Sequence, residues 1–255
     1  MDILLVNDDG INSPALLPTL EILSSIGNVT AVIPTNQQSW TSKINTRNEK
    51  EVQLEEIEIE DFQCYSVDLF PADCANLGIY LHETKPDLVV SGANVGHNVG
   101  LHAFFSSGTV GAAIEGVIAG IPSIAVSCAY EPKQKITSEL FRESLKIVPQ
   151  LIEKFILNSE GMALLNLNLP LGINSDSIIP VSLDSFCFGS LFNIENQVVK
   201  PKTYYELNRP ISDKIGKDTW ARKEKKASLT AFDNQIQCIN IDLVQNWLKV
   251  NGLAV

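Results

Sequence analysis

The sequence is poor in positive charge. Nineteen lysines and arginines face 30 aspartates and glutamates, a net charge of −11 over 255 residues. That balance argues against a nucleic-acid polymer or an anionic membrane as partner, since both require basic surface. It leaves an anionic small molecule open, because a bound cation inverts the local potential. Long apolar runs are also missing, and nothing approaches the roughly 18 residues of a membrane span. The apolar run from Ile3 is too short for a secretory leader and ends in two acids. Cysteine is sparse and unpatterned: Cys64, Cys74, Cys128, Cys187 and Cys238 are odd in number and contain no Cys-x-x-Cys pair. Reduced thiols in a cytoplasmic protein are expected, not a disulfide frame or a zinc site. Two nucleotide signatures are absent as well. Glycines 92, 96 and 100 are four apart, unlike Gly-x-Gly-x-x-Gly, and no Gly-Lys-Ser or Gly-Lys-Thr triplet occurs.

What is present is an ordinary globular composition, 45% apolar and 19% charged, able to bury a sizeable core. The organising stretch is the first ten residues. Ile3 to Val6 is a continuous apolar run ending abruptly in Asn7-Asp8-Asp9-Gly10. Such a run predicts a strand buried on both faces, as in a parallel sheet. Asp8 and Asp9 then lie just past its carboxyl end, where open α/β sheets bind ligands. Adjacent carboxylates repel and resist desolvation unless they share a cation or a proton. A divalent metal is the economical explanation; the plain alternative is a solvated turn whose Asp caps the next helix.

The rest of the first half follows a βα rhythm. A helix is expected over Ala15 to Ser25, stopped by Gly27-Asn28, then a strand over Val29 to Ile33 parallel to the first. Acidic, period-two residues from Glu49 to Asp61 fit exposed strands or a hairpin. Pro71 opens a helix to about Leu81, and Leu88 to Val90 is a further buried strand. Val110 to Ala119 reads as a tightly packed helix, Ile124 to Val126 as a strand. Ser138 to Leu157 carries a broad helical stripe with Pro149 as a kink. Met162 to Leu169 is strand-like. Beyond Pro170 the rhythm fades into irregular strands or an arm, including the charged run 222–226, before a closing helix over Asp242 to Val250. The expected organisation is a single unit with a core over 1–170 and an extension over 171–255.

Chemistry converges where three strands end in polar loops, at Asp8-Asp9, Ser39 and Asn94. In a parallel sheet these loops share one edge, and their all-oxygen donor set suits Mg²⁺, Mn²⁺ or Ca²⁺. Ser107-Gly108-Thr109 at a helix start suits a phosphate, although Ser and Thr also cap helices everywhere. A metal beside a phosphate cradle points to phosphate-ester hydrolysis. His97 and His102 flank the site. Trp40 either stacks on a base or packs against its neighbours.

Asn7-Asp8-Asp9-Gly10, Gln38-Ser39, Pro71-Ala72-Asp73-Cys74, Ser91-Gly92-Ala93-Asn94 through Gly100, and Ser107-Gly108-Thr109-Val110 together resemble the SurE family, with a weaker match at Leu165 to Pro170. The family consists of divalent-metal-dependent phosphatases of nucleoside 5′- or 3′-monophosphates. The resemblance implies a Rossmann-like core with Asp8, Asp9, Ser39 and Asn94 as metal ligands. It also implies Asn98 and Ser107-Gly108-Thr109 near the phosphate, and a C-terminal arm exchanged in homodimers or homotetramers. The chain departs from the family pattern at Thr35-Asn36, at Trp40 where glycine is usual, at Leu101-His102, in the longer Phe104-Phe105-Ser106 stretch, and at Ser228 to Phe232. Two other classes remain open. One is an aspartyl-phosphate phosphatase, which wants Asp-x-Asp and a later lysine. The other is a diverged metal- and nucleotide-binding oligomer with little turnover.

Overall fold

Four apolar side chains in a row must be covered on both faces of a sheet, and in β1 (Asp2–Val6) Ile3 to Val6 are buried on both. The computed structural model describes residues 1–47, 51–202, 207 and 212–253. After β1 come α1 (Leu16–Ser24), β2 (Asn28–Pro34), β3 (Leu54–Ile59), β4 (Phe62–Val67), α2 (Pro71–Ile79) and β5 (Leu88–Val95). Then follow α3 (Gly100–Ser106), α4 (Gly108–Ile118), β6 (Ser123–Ala129), α5 (Ser138–Leu145), α6 (Val148–Leu157) and β7 (Leu164–Pro170). The chain ends with β8 (Ile179–Pro180), β9 (Phe192–Glu195), β10 (Val198–Pro201), α7 (Asp218–Lys223), β11 (Ser228–Phe232) and α8 (Ile241–Val250).

Nine strands form one sheet in the order β3-β4-β2-β1-β5-β6-β7-β11-β8. From β4 to β7 every pairing is parallel; β3 returns antiparallel on β4, and β11 antiparallel on β7. Alternate residues of β1 face opposite sides, as the pleat requires. Ile3 and Leu5 join the cluster under α1, α5, α6 and α8, whereas Leu4 and Val6 join the cluster under α2 and α4. Each such side chain contributes about 1.5–3 kcal/mol on leaving water. The protein is thus a mixed α/β fold, a mostly parallel Rossmann-like sheet flanked by helices. β1 has β2 on one side and β5 on the other. The chain therefore reverses its direction of travel at β1 and β5, which opens a crevice at their carboxyl ends.

Four local expectations need correction. The strand expected to end at Val90 continues to Val95 through an irregularity between Ser91 and Asn94, so Asn94 is a strand residue rather than a loop residue. Glycine is required at this bulge: a Cβ on Gly92 would stand 2.3 Å from the Val126 carbonyl oxygen of β6. The helix α3 was not foreseen, because its glycine start and short length hide any period. The long stripe over 138–157 is two helices, not one kinked helix. The break falls at Lys146-Ile147, and Pro149 sits in the first turn of α6, where its missing N–H has no partner to lose. The charged run 222–226 is the end of α7 and its following turn, not an irregular strand or arm.

After residue 170, β8 and β11 extend the central sheet, while β9 and β10 make a separate two-stranded hairpin. The closing helix is present as α8, with Trp247 fully buried and its Nε1 donating to the Asn158 carbonyl at 2.6 Å. The acidic hairpin is present as β3–β4; Glu49 and Lys50, at its expected start, lie outside the described residues. No single helix among the described residues is long and apolar enough to cross a membrane.

Candidate active site

The turn after β1 is braced by its own side chains. Asn7 Nδ2 donates to the Gly10 carbonyl at 3.1 Å, and the Gly10 N–H donates back to Asn7 Oδ1 at 3.0 Å. Gly10 has φ +81°, and a Cβ there would lie 2.8 Å from the Asn36 carbonyl carbon. Glycine thus lets the loops after β1 and β2 close on each other. The Gln38 N–H donates to the Asp8 carbonyl at 2.7 Å, which fixes the Ser39 loop beside the carboxylates. The far side of that loop is pinned to the α3–α4 junction, where Ser42 Oγ donates to the Phe105 carbonyl at 2.6 Å.

Asp8 is buried, and its Oδ1 accepts from Thr109 Oγ1 at 2.7 Å. Asp9 Oδ2 accepts from the Val95 N–H at 2.7 Å, so the carboxylate bridges from β1 to β5. The backbone N–H groups of Thr109 and of Asp8 itself also turn toward the Asp8 carboxyl, whereas Asp9 receives the Val95 N–H alone among the described residues. Burial holds the Asp8 carboxyl above the ordinary carboxylate range, against the opposing hydrogen bonds from Thr109. Burial, and then repulsion from Asp8, pushes Asp9 up to about 7.

Asp8, Ser39, Asn94, Asn98 and Ser107 line one cavity of about 240 Å³ at the β1/β5 crevice. Asp9 lines an adjoining hollow that shares Gln37 and Val95 with it. Gly108 and Thr109 stand behind the wall. Thr109 is engaged by Asp8, and a Cβ on Gly108 would lie 2.9 Å from Asp8 Cβ. Ser107 caps α4, its Oγ accepting from the Val110 N–H at 3.1 Å, which leaves the hydroxyl proton to donate elsewhere.

Asn98 is held on three sides. Its N–H donates to Asn168 Oδ1 at 2.8 Å, its Nδ2 donates to Ser127 Oγ at 2.8 Å, and its carbonyl accepts from Asn166 Nδ2 at 2.9 Å. The weak motif at 165–170 therefore has a physical meaning: two same-face amides of β7 position one cavity residue. Asp218 does similar work below α3. Fully buried, it accepts from the N–H groups of Gly100 and Asp184 at 2.6 and 2.9 Å. Burial lifts this carboxyl to about 6 despite those bonds.

The remaining wall is aromatic. Trp40, Phe188 and Tyr130 line the cavity, and Trp40 stacks on Phe188 at 5.3 Å between ring centroids. His102 packs on Phe188 at 4.6 Å, and its Nδ1 accepts the Phe188 N–H at 3.3 Å. It serves the wall, while His97 lines the cavity. Sequence patterning did not mark Gln37, Tyr130, Phe188 or Asp218. The last two lie beyond the recognisable motifs, where no periodicity points at them.

A family model described as Survival protein SurE matches residues 3–186 of the chain. A protein named 5′-nucleotidase SurE from Methanocella arvoryzae is 34% identical over 189 residues, covering 71% of each chain. Another of that name from Methanococcus vannielii is 33% identical and covers 98% of each chain. The solved structure of the SurE protein from Aquifex aeolicus superposes with a TM-score of 0.74 at 30% identity, covering 98% of this chain and 99% of that one.

The buried carboxylates make a stability prediction. A raised carboxyl favours the protonated folded state, so Asp9 contributes stability fully below its ordinary value near 3.8 and loses it as pH rises through about 7. Without added divalent cation, Asp9→Asn should therefore stabilise the protein at pH 8 by about 1 kcal/mol, roughly 2–4 °C in Tm for a chain of this size. The advantage should shrink steadily toward pH 4, about the ordinary carboxyl value. Thermal melts showing a pH-independent difference would remove ionisation of a buried carboxylate as its cause.

Proposed function

The chain belongs to the SurE family, and from that premise we propose that it is a divalent-metal-dependent phosphatase of nucleoside 5′-monophosphates, with 3′-monophosphates as secondary substrates. The carrying observation is the shared cavity of Asp8, Ser39 and Asn94 with Asp9 alongside. The residues fit a hard cation. Two neighbouring carboxylates stand here, Asp8 buried and Asp9 half-buried; burial raises both, and repulsion from Asp8 raises Asp9 further. A hydroxyl and an amide complete an oxygen set suited to Mg²⁺ or Mn²⁺, with Ca²⁺ able to take the same place in a crystal. No cluster of three His, Cys, Asp or Glu stands among the described residues, which disfavours a zinc-type site.

Asp8, Asp9, Ser39 and Asn94 would hold the cation. When bound, it supplies Lewis-acid polarisation of a phosphoryl oxygen and a lowered pKa for water. The protein's own groups do the rest. Ser107, with a hydroxyl proton to spare, and the fixed amide of Asn98 donate to phosphoryl oxygens from the far wall. Gly108 and Thr109, at the N-terminus of α4, keep Asp8 in place, and the helix end favours negative charge there. Asp8 or Asp9 would orient the attacking water or take its proton. No lysine lines this cavity, which supports attack by water over an aspartyl-phosphate route. The Trp40–Phe188–Tyr130 wall supports a nucleoside rather than a bare phosphomonoester, because a base can stack on it.

The five cysteines are unpaired and no single described helix is suited to span a membrane, in keeping with a cytoplasmic enzyme. The β9–β10 hairpin exposes Ile194 at 73% and Val199 at 59%, which supports its burial in a homodimer or homotetramer. Sedimentation should give the dimer or tetramer mass; a monomer at micromolar concentration would count against that assignment.

Asp8→Ala should lower Mg²⁺- or Mn²⁺-stimulated phosphate release from a panel of nucleoside monophosphates by at least about 100-fold, the scale on which one group facing developing charge acts. Unchanged turnover would sink the mechanism, and a wild-type protein inert across the panel would favour the non-catalytic oligomer. Trp40→Ala should raise KM for a nucleoside monophosphate about tenfold, given about 1–3 kcal/mol per stacked base, and leave KM for ribose 5-phosphate unchanged. Equal effects on both substrates would show that Trp40 packs the wall and reads no base.

A further inference from the structure

A second and larger cavity lies at the same sheet edge, one strand beyond the first. It measures about 450 Å³ and opens over the carboxyl ends of β6 and β7. Because β11 runs antiparallel to β7, with Ser228 opposite Asn168, the turn that precedes β11 is delivered to this end of the sheet. That turn carries Arg222, Lys225 and Lys226, and the loop after β6 adds Lys133 from the other side. Four cations thus meet in a chain that has only 19 among 255 residues.

One carboxylate opposes them: Glu131 Oε2 stands 3.8 Å from Lys225 Nζ. No other carboxylate among the described residues pairs with Lys133, Arg222 or Lys226. Arg222 Nε is buried and has no acceptor among those residues. A buried donor left unmade costs about 1–3 kcal/mol, and more when it is charged. The place is more open than that of Asp8 and Asp9: Arg222 is half-buried, while Lys133, Lys225 and Lys226 are exposed, so one buried donor and three flexible ammonium groups are available to close on an anion.

The cavity is framed rather than loose. Gln134 Nε2 donates to the Leu171 carbonyl at 3.1 Å, while its Oε1 accepts the Glu131 N–H at 2.9 Å, tying the Lys133 loop to the end of β7. Its floor is apolar, formed by Leu140, Leu169, Leu171 and Ile173. The volume falls within the range of about 300–1,000 Å³ typical of small-molecule sites. A guanidinium beside ammonium groups suits a doubly charged phosphate better than a single carboxylate.

We propose that this cavity is a second ligand site, separate from the Asp8 cavity, that binds a small phosphorylated anion carrying an apolar body. The phosphate meets Arg222, Lys226 and Lys133, and the apolar body lies on the leucine floor. Titration calorimetry on the full chain would use hexyl phosphate as the probe, with heptanoate and inorganic pyrophosphate as comparators. Hexyl phosphate should bind the Asp8→Asn protein as it binds the wild type. Replacing Arg222→Gln with Lys226→Gln should weaken binding about tenfold or more, the scale of one lost charge-assisted hydrogen bond. It should leave nucleotide turnover unchanged. Lys133 lies on an exposed loop, so Lys133→Gln provides a variant that folds regardless and should weaken binding in the same sense. Heptanoate, which lacks the second charge, and pyrophosphate, which lacks the apolar body, should each bind more weakly. The site is overturned if hexyl phosphate shows no saturable binding, if the basic-to-glutamine changes leave it intact, or if Asp8→Asn abolishes it. The last result would assign the binding to the Asp8 cavity and would leave the phosphatase reading standing.

Discussion

The structure depends on keeping two neighbouring carboxylates where water is scarce. Asp8 and Asp9 repel each other, and burial raises both above their ordinary range. Nothing in a lone strand end would hold them so. β1 lies at the centre of the sheet, with both faces covered, and its register is fixed against β2 and β5. Each carboxylate is then turned by one outside donor, Asp8 by the Thr109 hydroxyl of α4 and Asp9 by the Val95 N–H of β5. The electrostatic cost of the pair is met by hydrophobic burial elsewhere in the same strand. This is the ordinary way a fold sustains local strain at a site that uses it.

Around that pair the support is arranged by distance in sequence rather than by proximity. Asn98, on the loop after β5, is held by Ser127 of β6 and by Asn166 and Asn168 of β7. The start of α3 is held by Asp218, more than a hundred residues downstream. The region after residue 170 therefore does more than close the chain. Through Asp218 and Phe188 it fixes one side of the cavity that the first half begins. Residue 40 shows the same economy of backbone: its φ is +65°, a left-handed value that glycine adopts readily and tryptophan does not. A strained residue here carries an indole to the cavity mouth, where it stacks on Phe188.

Much of this was legible beforehand, and for a physical reason. β1, α1, β2, α2, β6, β7 and α8 are long or strongly apolar enough for periodicity to mark them, and the parallel sheet follows from buried runs alternating with helices. That Asp8, Ser39 and Asn94 would share one cavity was also legible, because strand ends in a parallel sheet share an edge; Ser107 was marked by a helix start, and Asn98 entered only through the family resemblance. The role of Thr109 was not, since a hydroxyl that orients a carboxylate looks the same in sequence as one that binds phosphate. α3 was hidden by its glycine start, and the break at Lys146-Ile147 by an apolar stripe that runs straight across it. Phe188 and Asp218 could not be found at all, because long-range contacts made by irregular segments leave no local signature.

The distribution of charge follows from the same sheet edge. A protein with 30 acids and 19 bases would repel an anion at long range if its charges were evenly spread. They are not. The carboxyl ends of β1 and β5 collect acid, and the carboxyl ends of β6 and β7 collect base. The two cavities are separated by the amide ladder of Asn98, Asn166 and Asn168, whose groups are neutral and mutually hydrogen-bonded.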